Sequence, residues 1–174
     1  MTALSAGSTF PKTDVAALGG GTLTLGAPRG EYDWQLVVVY RGLHCPICKT
    51  YLAGLQELET TFNDLGVDVV TVSADPEEKA QAFADEKELT LAIGYDLSVA
   101  QMKTLGLYIS DPRSPQETDR PFAEPGLFVI NAEGTIQILD VSNAPFARPD
   151  LQGIANGIKF VRANDYPIRG THTG

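Results

Sequence analysis

Two hydrophobic spacings alternate along this chain of 174 residues. Gln35-Leu-Val-Val-Val-Tyr40 is a continuous run rich in valine, which predicts a strand buried on both faces at the centre of an α/β sheet. From Ile47 the spacing changes. Leu52, Leu55, Leu58, Phe62 and Leu65 recur every three or four residues, one stripe of a helix that Gly66 ends. Val67 to Ser73 is a second central strand. Asp75-Pro76-Glu77-Glu78 then reads as a helix start, with Asp75 as N-cap, proline at the first helical position and acids in the first turn. Its core side is Ala80, Phe83 and Ala84. Leu91 to Tyr95 is a short strand, and Asp96 to Thr104 a short helix capped by Asp96 or Ser98.

The second half changes pattern. Asp111 to Pro125 holds four prolines and mixed charge, a long irregular loop for a compact domain. Gly126 to Asn131 and Thr135 to Val141 flank Ala132-Glu133-Gly134, a strong hairpin signal. Pro149-Asp150 opens a last helix with Leu151, Ile154, Ile158 and Val161 inward. Upstream, Ala17 to Leu25 carries a glycine turn between short apolar runs, a second hairpin. The order is β-α-β-α-β-α, a loop, then β-β-α. Alternation implies parallel strands with right-handed crossovers, and the hairpin adds antiparallel ones. The expectation is one α/β domain over 1–174, a central mixed sheet flanked by helices, with flexible ends at 1–9 and 166–174.

Composition adds exclusions. A hydrophobic share of 43% is ordinary for a globular chain. The net charge of −9 argues against nucleic acid and against anionic membrane surfaces, both of which call for a basic footprint. Met1 to Phe10 has no basic stretch followed by an apolar one, and no run is long enough to cross a bilayer, so a cytoplasmic location is expected.

That setting bears on the two cysteines, Cys45 and Cys48. In a compartment that keeps thiols reduced, a Cys-Pro-Ile-Cys motif reads as catalytic rather than as a staple. Cys45 stands where the buried strand ends and a helix begins. Pro46 at the first helical position makes Cys45 the N-cap, where unpaired N–H groups and the helix dipole stabilise a thiolate. Arg41 is close in sequence and adds positive charge. Cys48, three residues on, shares the helix face at about 5–6 Å, a separation that suits a disulfide. Cys45 is thus the nucleophile, and Cys48 attacks whatever forms on it. Zinc needs four ligands, and only His44 and His172 remain. No metal or other cofactor is expected. His44 supports the thiolate if charged and lines the pocket if neutral. Tyr40 and Trp34 read as core or pocket wall, and Arg113 and Arg148 as solvated surface. Arg120, in the loop before the hairpin, is a supporting candidate.

The segments Val37-Val-Val-Tyr-Arg-Gly-Leu-His-Cys-Pro-Ile-Cys-Lys49, VVTVSAD at 69–75 and GLFVINAEG at 126–134 resemble, in order and spacing, the peroxiredoxin-like branch of the alkyl hydroperoxide reductase and thiol-specific antioxidant family. LGGGTLTLG at 18–26 resembles that family's N-terminal hairpin. The resemblance implies a thioredoxin-like fold with an N-terminal β-hairpin extension. It also implies thiol-dependent reduction of peroxides, with Cys45 in the peroxidatic position, Cys48 in a resolving one, and a thioredoxin- or glutaredoxin-like donor. Leu105-Gly106-Leu107-Tyr108 resembles a stretch that relatives use in dimers, which implies a homodimer. Three positions depart from the pattern. Val38 and Gly42 stand where the family has proline and threonine or serine, and Pro125 stands at its arginine. Pro125 instead resembles the cis-proline that faces the dithiol in thioredoxins, with Glu124 beside the thiols. Two further readings therefore stand beside the peroxidase: a thioredoxin-type disulfide oxidoreductase, and a redox-sensing interaction module without enzymatic activity.

Overall fold

The computed structural model describes residues 3–174. In chain order its elements are β1 (Thr13–Ala17), β2 (Thr22–Leu25), β3 (Trp34–Val39), α1 (Pro46–Asp64), β4 (Val67–Val72), α2 (Glu77–Lys87), β5 (Ala92–Tyr95), α3 (Val99–Thr104), β6 (Ile109–Ser110), β7 (Phe122–Ala123), β8 (Gly126–Ile130), β9 (Ile136–Val141) and α4 (Leu151–Asn164). Seven strands form one mixed sheet in the order β2-β1-β5-β4-β3-β8-β9. Strands β3, β4 and β5 run parallel, with Val37 opposite Val70 and Val72 opposite Gly94. The β8–β9 hairpin joins β3 antiparallel, so β9 runs in the same direction as β3. The N-terminal hairpin extends the sheet through Ala16 opposite Tyr95 on β5.

The valine run of β3 is buried on both faces because its side chains alternate between two cores. Leu36, Val38 and Tyr40 face Leu52, Leu55 and Phe62 of α1 and Ile158 of α4. Val37 and Val39 face Met102, Leu105 and the N-terminal Phe10, Val15 and Leu25. Each fully buried aliphatic side chain contributes roughly 1.5–3 kcal/mol, and this double layer fixes where β3 ends. The residues before the hairpin are tied down as well: Gly7 N–H donates to the Ile136 carbonyl at 2.9 Å and Phe10 N–H to that of Gly134.

Two features differ from the expected ones. The second helix begins at Glu77 with Pro76 as N-cap, because the Asp75 carboxylate is already accepting the Leu43 N–H at 2.7 Å. The 111–125 loop closes on a short ladder, Ile109 opposite Ala123 and Ser110 opposite Phe122; two-residue strands carry no readable period. Gln35 and Asp68, polar residues within the central strands, are buried. They satisfy one another, with Gln35 Nε2 donating to Asp68 at 3.2 Å, while Arg29 grips Asp68 at 2.7 Å. The third helix is capped by Ser98, whose hydroxyl accepts from Gln101 N–H while the Gln101 side chain returns the bond. No helix among the described residues is long and apolar enough to cross a membrane.

Candidate active site

Strand β3 delivers Tyr40 to the carboxyl edge of the sheet, and Gly42 turns the chain into α1. Gly42 has φ +135°, and a Cβ there would lie 2.6 Å from the Asp75 carboxylate. Only glycine fits. Leu43, held by Asp75, then leads to Cys45, whose N–H donates to the Gly42 carbonyl at 3.1 Å.

Cys45 is the N-cap of α1 and Pro46 its first residue. The Cys45 sulfur accepts the Cys48 N–H at 3.3 Å, the bond a capping oxygen would make elsewhere. Both thiols are free, with 1% exposure for Cys45 and none for Cys48. The pair divides its protons unequally. The Cys45 thiol is brought down to about 6, chiefly by the Cys48 thiol donating to it, then by the Cys48 N–H and the charges of Arg148 and Arg41, against the opposing effect of burial. Burial, and donation to Cys45, push the Cys48 thiol up, and Arg148 opposes that rise. Of the pair, the Cys45 thiol therefore ionises first and Cys48 keeps its proton longer.

Arg148 reaches this pair from the segment between β9 and α4. Its Nη2 donates to the Cys48 sulfur at 2.8 Å and its Nε to the Pro145 carbonyl at 2.7 Å. Its guanidinium stacks on Tyr51, 4.7 Å from the ring centre, and the Tyr51 hydroxyl donates to the Pro149 carbonyl. A cleft of about 660 Å³ opens beside it between α1 and residues 145–152, lined among others by Ile47, Tyr51, Phe146 and Arg148. Ile47 and Phe146 stand exposed at 45% and 77%.

The other anticipated residues fall into two groups. Arg41, His44 and Glu124 gather around Phe122 on the far side of the dithiol. The Arg41 guanidinium lies 4.8 Å over the Phe122 ring, and its Nε is 3.2 Å from Glu124 Oε2. That contact is an ion pair by distance but too poorly angled for a hydrogen bond. His44 packs edge-on against Phe122 at 4.6 Å. Burial first, and Arg41 second, lower its pKa below the usual histidine value, so it is the neutral pocket wall rather than a cation. Arg120 is placed elsewhere: it binds Asp96 at 3.0 Å and the Ala74 carbonyl at 3.3 Å, anchoring the long loop, and makes no bond to either cysteine.

Pro125 corrects an expectation. No peptide bond among the described residues is cis. Glu124 and Pro125 continue the extended backbone between β7 and β8. Glu124 N–H donates to the Tyr108 carbonyl, and the Pro125 carbonyl accepts from Ser142 N–H at 3.1 Å. The Glu124 N–H and the Pro125 carbonyl are thereby taken up within the fold.

Among the described residues, the buried side-chain nitrogens and oxygens left without a hydrogen-bond partner belong to Tyr40, Arg41, His44, Glu124 and Arg148. An unpaired buried polar atom costs about 1–3 kcal/mol; for Arg41 Nε and Glu124 Oε2 their mutual ion pair at 3.2 Å offsets part of that cost.

The sequence profile of the AhpC/TSA family matches residues 6–138. The chain belongs to that family. Alkyl hydroperoxide reductase C of Bacillus subtilis is 27% identical over 135 residues, 76% of this chain and 70% of that protein. The protein of the same name from Staphylococcus haemolyticus is 27% identical over 73% of this chain, a match spanning 65% of its own length. Among solved structures, AhpC of Mycobacterium bovis superposes with TM-score 0.75 at 18% identity over 99% of this chain and all of that one. A peroxiredoxin-like protein from Aquifex aeolicus gives 0.76 at 18% identity, covering 92% and 90%. These likenesses confirm the thioredoxin-like fold of the family.

The Arg41–Glu124 contact makes one prediction. Glu124 lies 3.2 Å from the Arg41 guanidinium, whose charge helps lower the Cys45 pKa. Glu124→Gln keeps the acceptor for the Ser110 hydroxyl, which now donates to Glu124 Oε1 at 2.7 Å. It should shift the Cys45 titration downward by about 0.3–1 unit, read from thiolate absorbance against pH. An upward shift would mean that Glu124 acts mainly by orienting Arg41.

Proposed function

We propose that this protein is a thiol peroxidase in which Cys45 and Cys48 form a dithiol–disulfide cycle. The Cys45 thiolate attacks the terminal oxygen of a hydroperoxide; the O–O bond breaks, Cys45 becomes a sulfenic acid, and the alkoxide or hydroxide leaves as alcohol or water after taking a proton. Cys48 then displaces the sulfenic oxygen as water and closes the disulfide. A thioredoxin- or glutaredoxin-like dithiol protein returns both to thiols. The observation that carries this reading is the Cys45 sulfur at the N-cap of α1, where it accepts the Cys48 N–H at 3.3 Å. A thiol held there and brought down to about 6 suits attack on a peroxide oxygen. Family membership and the relatives' names point the same way. The exposed Ile47 and Phe146 at the cleft give the organic part of a hydroperoxide an apolar surface. One domain suffices for this chemistry, in a compartment reducing enough to keep both thiols free.

Disulfide exchange remains the second reading, on the strength of the CxxC spacing, although the trans peptide at Pro125 and the paired Glu124 N–H remove one of its supports. Mixing the reduced protein with hydrogen peroxide and with cumene hydroperoxide in a stopped-flow instrument separates the two. The peroxidase should oxidise Cys45 about 10³-fold or more faster than free cysteine, while reducing insulin slowly. Oxidation at the rate of free cysteine, with rapid insulin turnover, would reverse the assignment.

A further inference from the structure

The peroxidase reading leaves the second half of its cycle without an activating group, since Cys48 is the proton holder and has to become a nucleophile. Burial disfavours its ionisation, and so does the neighbouring Cys45 thiolate. We propose that Arg148 is the catalytic residue of disulfide closure: its Nη2, 2.8 Å from the Cys48 sulfur, stabilises the Cys48 thiolate as it attacks oxidised Cys45. This inference rests on the dithiol cycle proposed above.

The geometry distinguishes the two cysteines. The recorded arginine bond goes to Cys48, while Cys45 is served by the Cys48 N–H. Arg148 is held for the task on three sides, by the Pro145 carbonyl on Nε, by the Tyr51 ring beneath it, and by the Tyr51 hydroxyl fixing the adjoining Pro149. Its remaining nitrogen, Nη1, is buried and unpaired. The groups that face Cys48 are Cys45 at the start of its own helix, Tyr40 from the end of β3, the Arg41 backbone, and Arg148 from the β9–α4 segment. Of these side chains Arg148 alone brings positive charge.

The charge balance then orders the steps. In the reduced protein the negative charge rests on Cys45, and the proton on Cys48 donates to it. Once Cys45 is a neutral sulfenic acid, that charge is gone and the Arg148 charge is left to act on Cys48 against burial alone. Cys48 gives up its proton, which passes to the departing oxygen, as its sulfur attacks the Cys45 sulfur. The S–S bond forms as the S–O bond breaks, and the departing hydroxide takes up that proton to leave as water. The free Nη1 donor is available to that oxygen. No oxidant beyond the peroxide already consumed is needed.

Rapid-quench mass spectrometry on the wild type, Arg148→Lys and Arg148→Met tests this, with thermal melts to confirm folding. Two steps are timed: Cys45 oxidation by hydrogen peroxide, and subsequent loss of the sulfenic acid to disulfide. Arg148→Met should slow closure by about 30- to 100-fold while slowing Cys45 oxidation by less than about fivefold, since it contributes to both thiolates but touches one. The pH midpoint of closure should move upward, and dimedone should trap more sulfenic acid. Arg148→Lys keeps the charge without the fork, and its closure rate should fall between the two. Unchanged closure in Arg148→Met, or equal slowing of both steps, overturns the proposal. A parallel arm loads Cys45 with glutathione from oxidised glutathione and times its expulsion by Cys48, a step that needs no peroxide. If peroxide fails to oxidise Cys45 yet expulsion still depends on Arg148, the peroxidase reading falls and this assignment stands. If expulsion is as fast in Arg148→Met as in the wild type, the assignment falls whatever the peroxide does.

Discussion

Cys45→Ser should abolish reaction with peroxide, lowering the rate of protein oxidation by about three orders of magnitude or more, because a serine hydroxyl lacks the thiolate's nucleophilicity. Cys48→Ser should behave differently. The serine keeps a backbone N–H and an O–H donor against the Cys45 sulfur, the two contacts that do most to lower its pKa. The first oxidation of Cys45 should therefore persist, whereas turnover with a dithiol donor should collapse and sulfinic acid should accumulate on Cys45. Cys48→Ala removes the side-chain donor as well, so its Cys45 titration should lie above that of Cys48→Ser. Mass spectra of each variant after one and after many equivalents of peroxide give both readings. Sustained turnover by Cys48→Ser would show that Cys48 is not the resolving group.

The pH dependence follows with a definite sign. The folded Cys45 thiol ionises near 6, below the ordinary value of 9.0. Oxidation of Cys45 by hydrogen peroxide should rise with pH through a midpoint near that value and be level above neutrality. The same shift favours the reduced fold: it contributes fully above the unfolded thiol's pKa and is lost as pH falls through the folded one. A midpoint near the pKa of free cysteine would show that the cap and the neighbouring charges leave Cys45 unperturbed.

The central strands, α1 and the dithiol were legible because each is specified by local pattern. A double-sided valine run, a three-four leucine stripe and a proline behind a cysteine need no distant partner to be read. The residues that complete the site were not, because their roles come from topology. Arg148 lies 100 positions from Cys48 and sits in a proline-flanked segment that resembles solvated surface. The available signal was strand direction. β9 runs parallel to β3 through the intervening β8, so the segment leaving β9 must emerge at the edge where β3 hands over to Cys45. Arg120 misled for the opposite reason. It is near the hairpin in sequence, yet the acidic Asp96 and the Ala74 carbonyl hold it on another part of the surface. Pro125 misled because a proline facing a dithiol suggests a cis peptide with a free backbone, while here no peptide bond among the described residues is cis and the Glu124 N–H and Pro125 carbonyl are paired.

Gly42→Ala should be the most damaging single substitution in the loop that carries the dithiol, lowering stability by about 2–4 kcal/mol and slowing Cys45 oxidation as well. Two separable effects act. At φ +135° an L-residue is strained wherever it stands. Its Cβ would also lie 2.6 and 2.7 Å from the two Asp75 carboxylate oxygens. Relieving that contact means moving Asp75, which releases the Leu43 N–H that it binds at 2.7 Å and frees the segment that positions Cys45. A double-mutant cycle separates the causes. Asp75→Ser removes the clashing oxygens at the expense of the Leu43 bond. In the Asp75→Ser background Gly42→Ala should then cost only the backbone strain, about 1–2 kcal/mol. Chemical denaturation of the four proteins measures the coupling. A full-sized cost in both backgrounds would place the whole effect in the backbone angle; a vanishing cost in the Asp75→Ser background would place it in the carboxylate contact. Either way, position 42, where the family resemblance implies a hydroxyl, is closed against a buried carboxylate. The contacts that lower the Cys45 pKa are instead its Cys48 neighbour, the helix cap and the charges of Arg148 and Arg41.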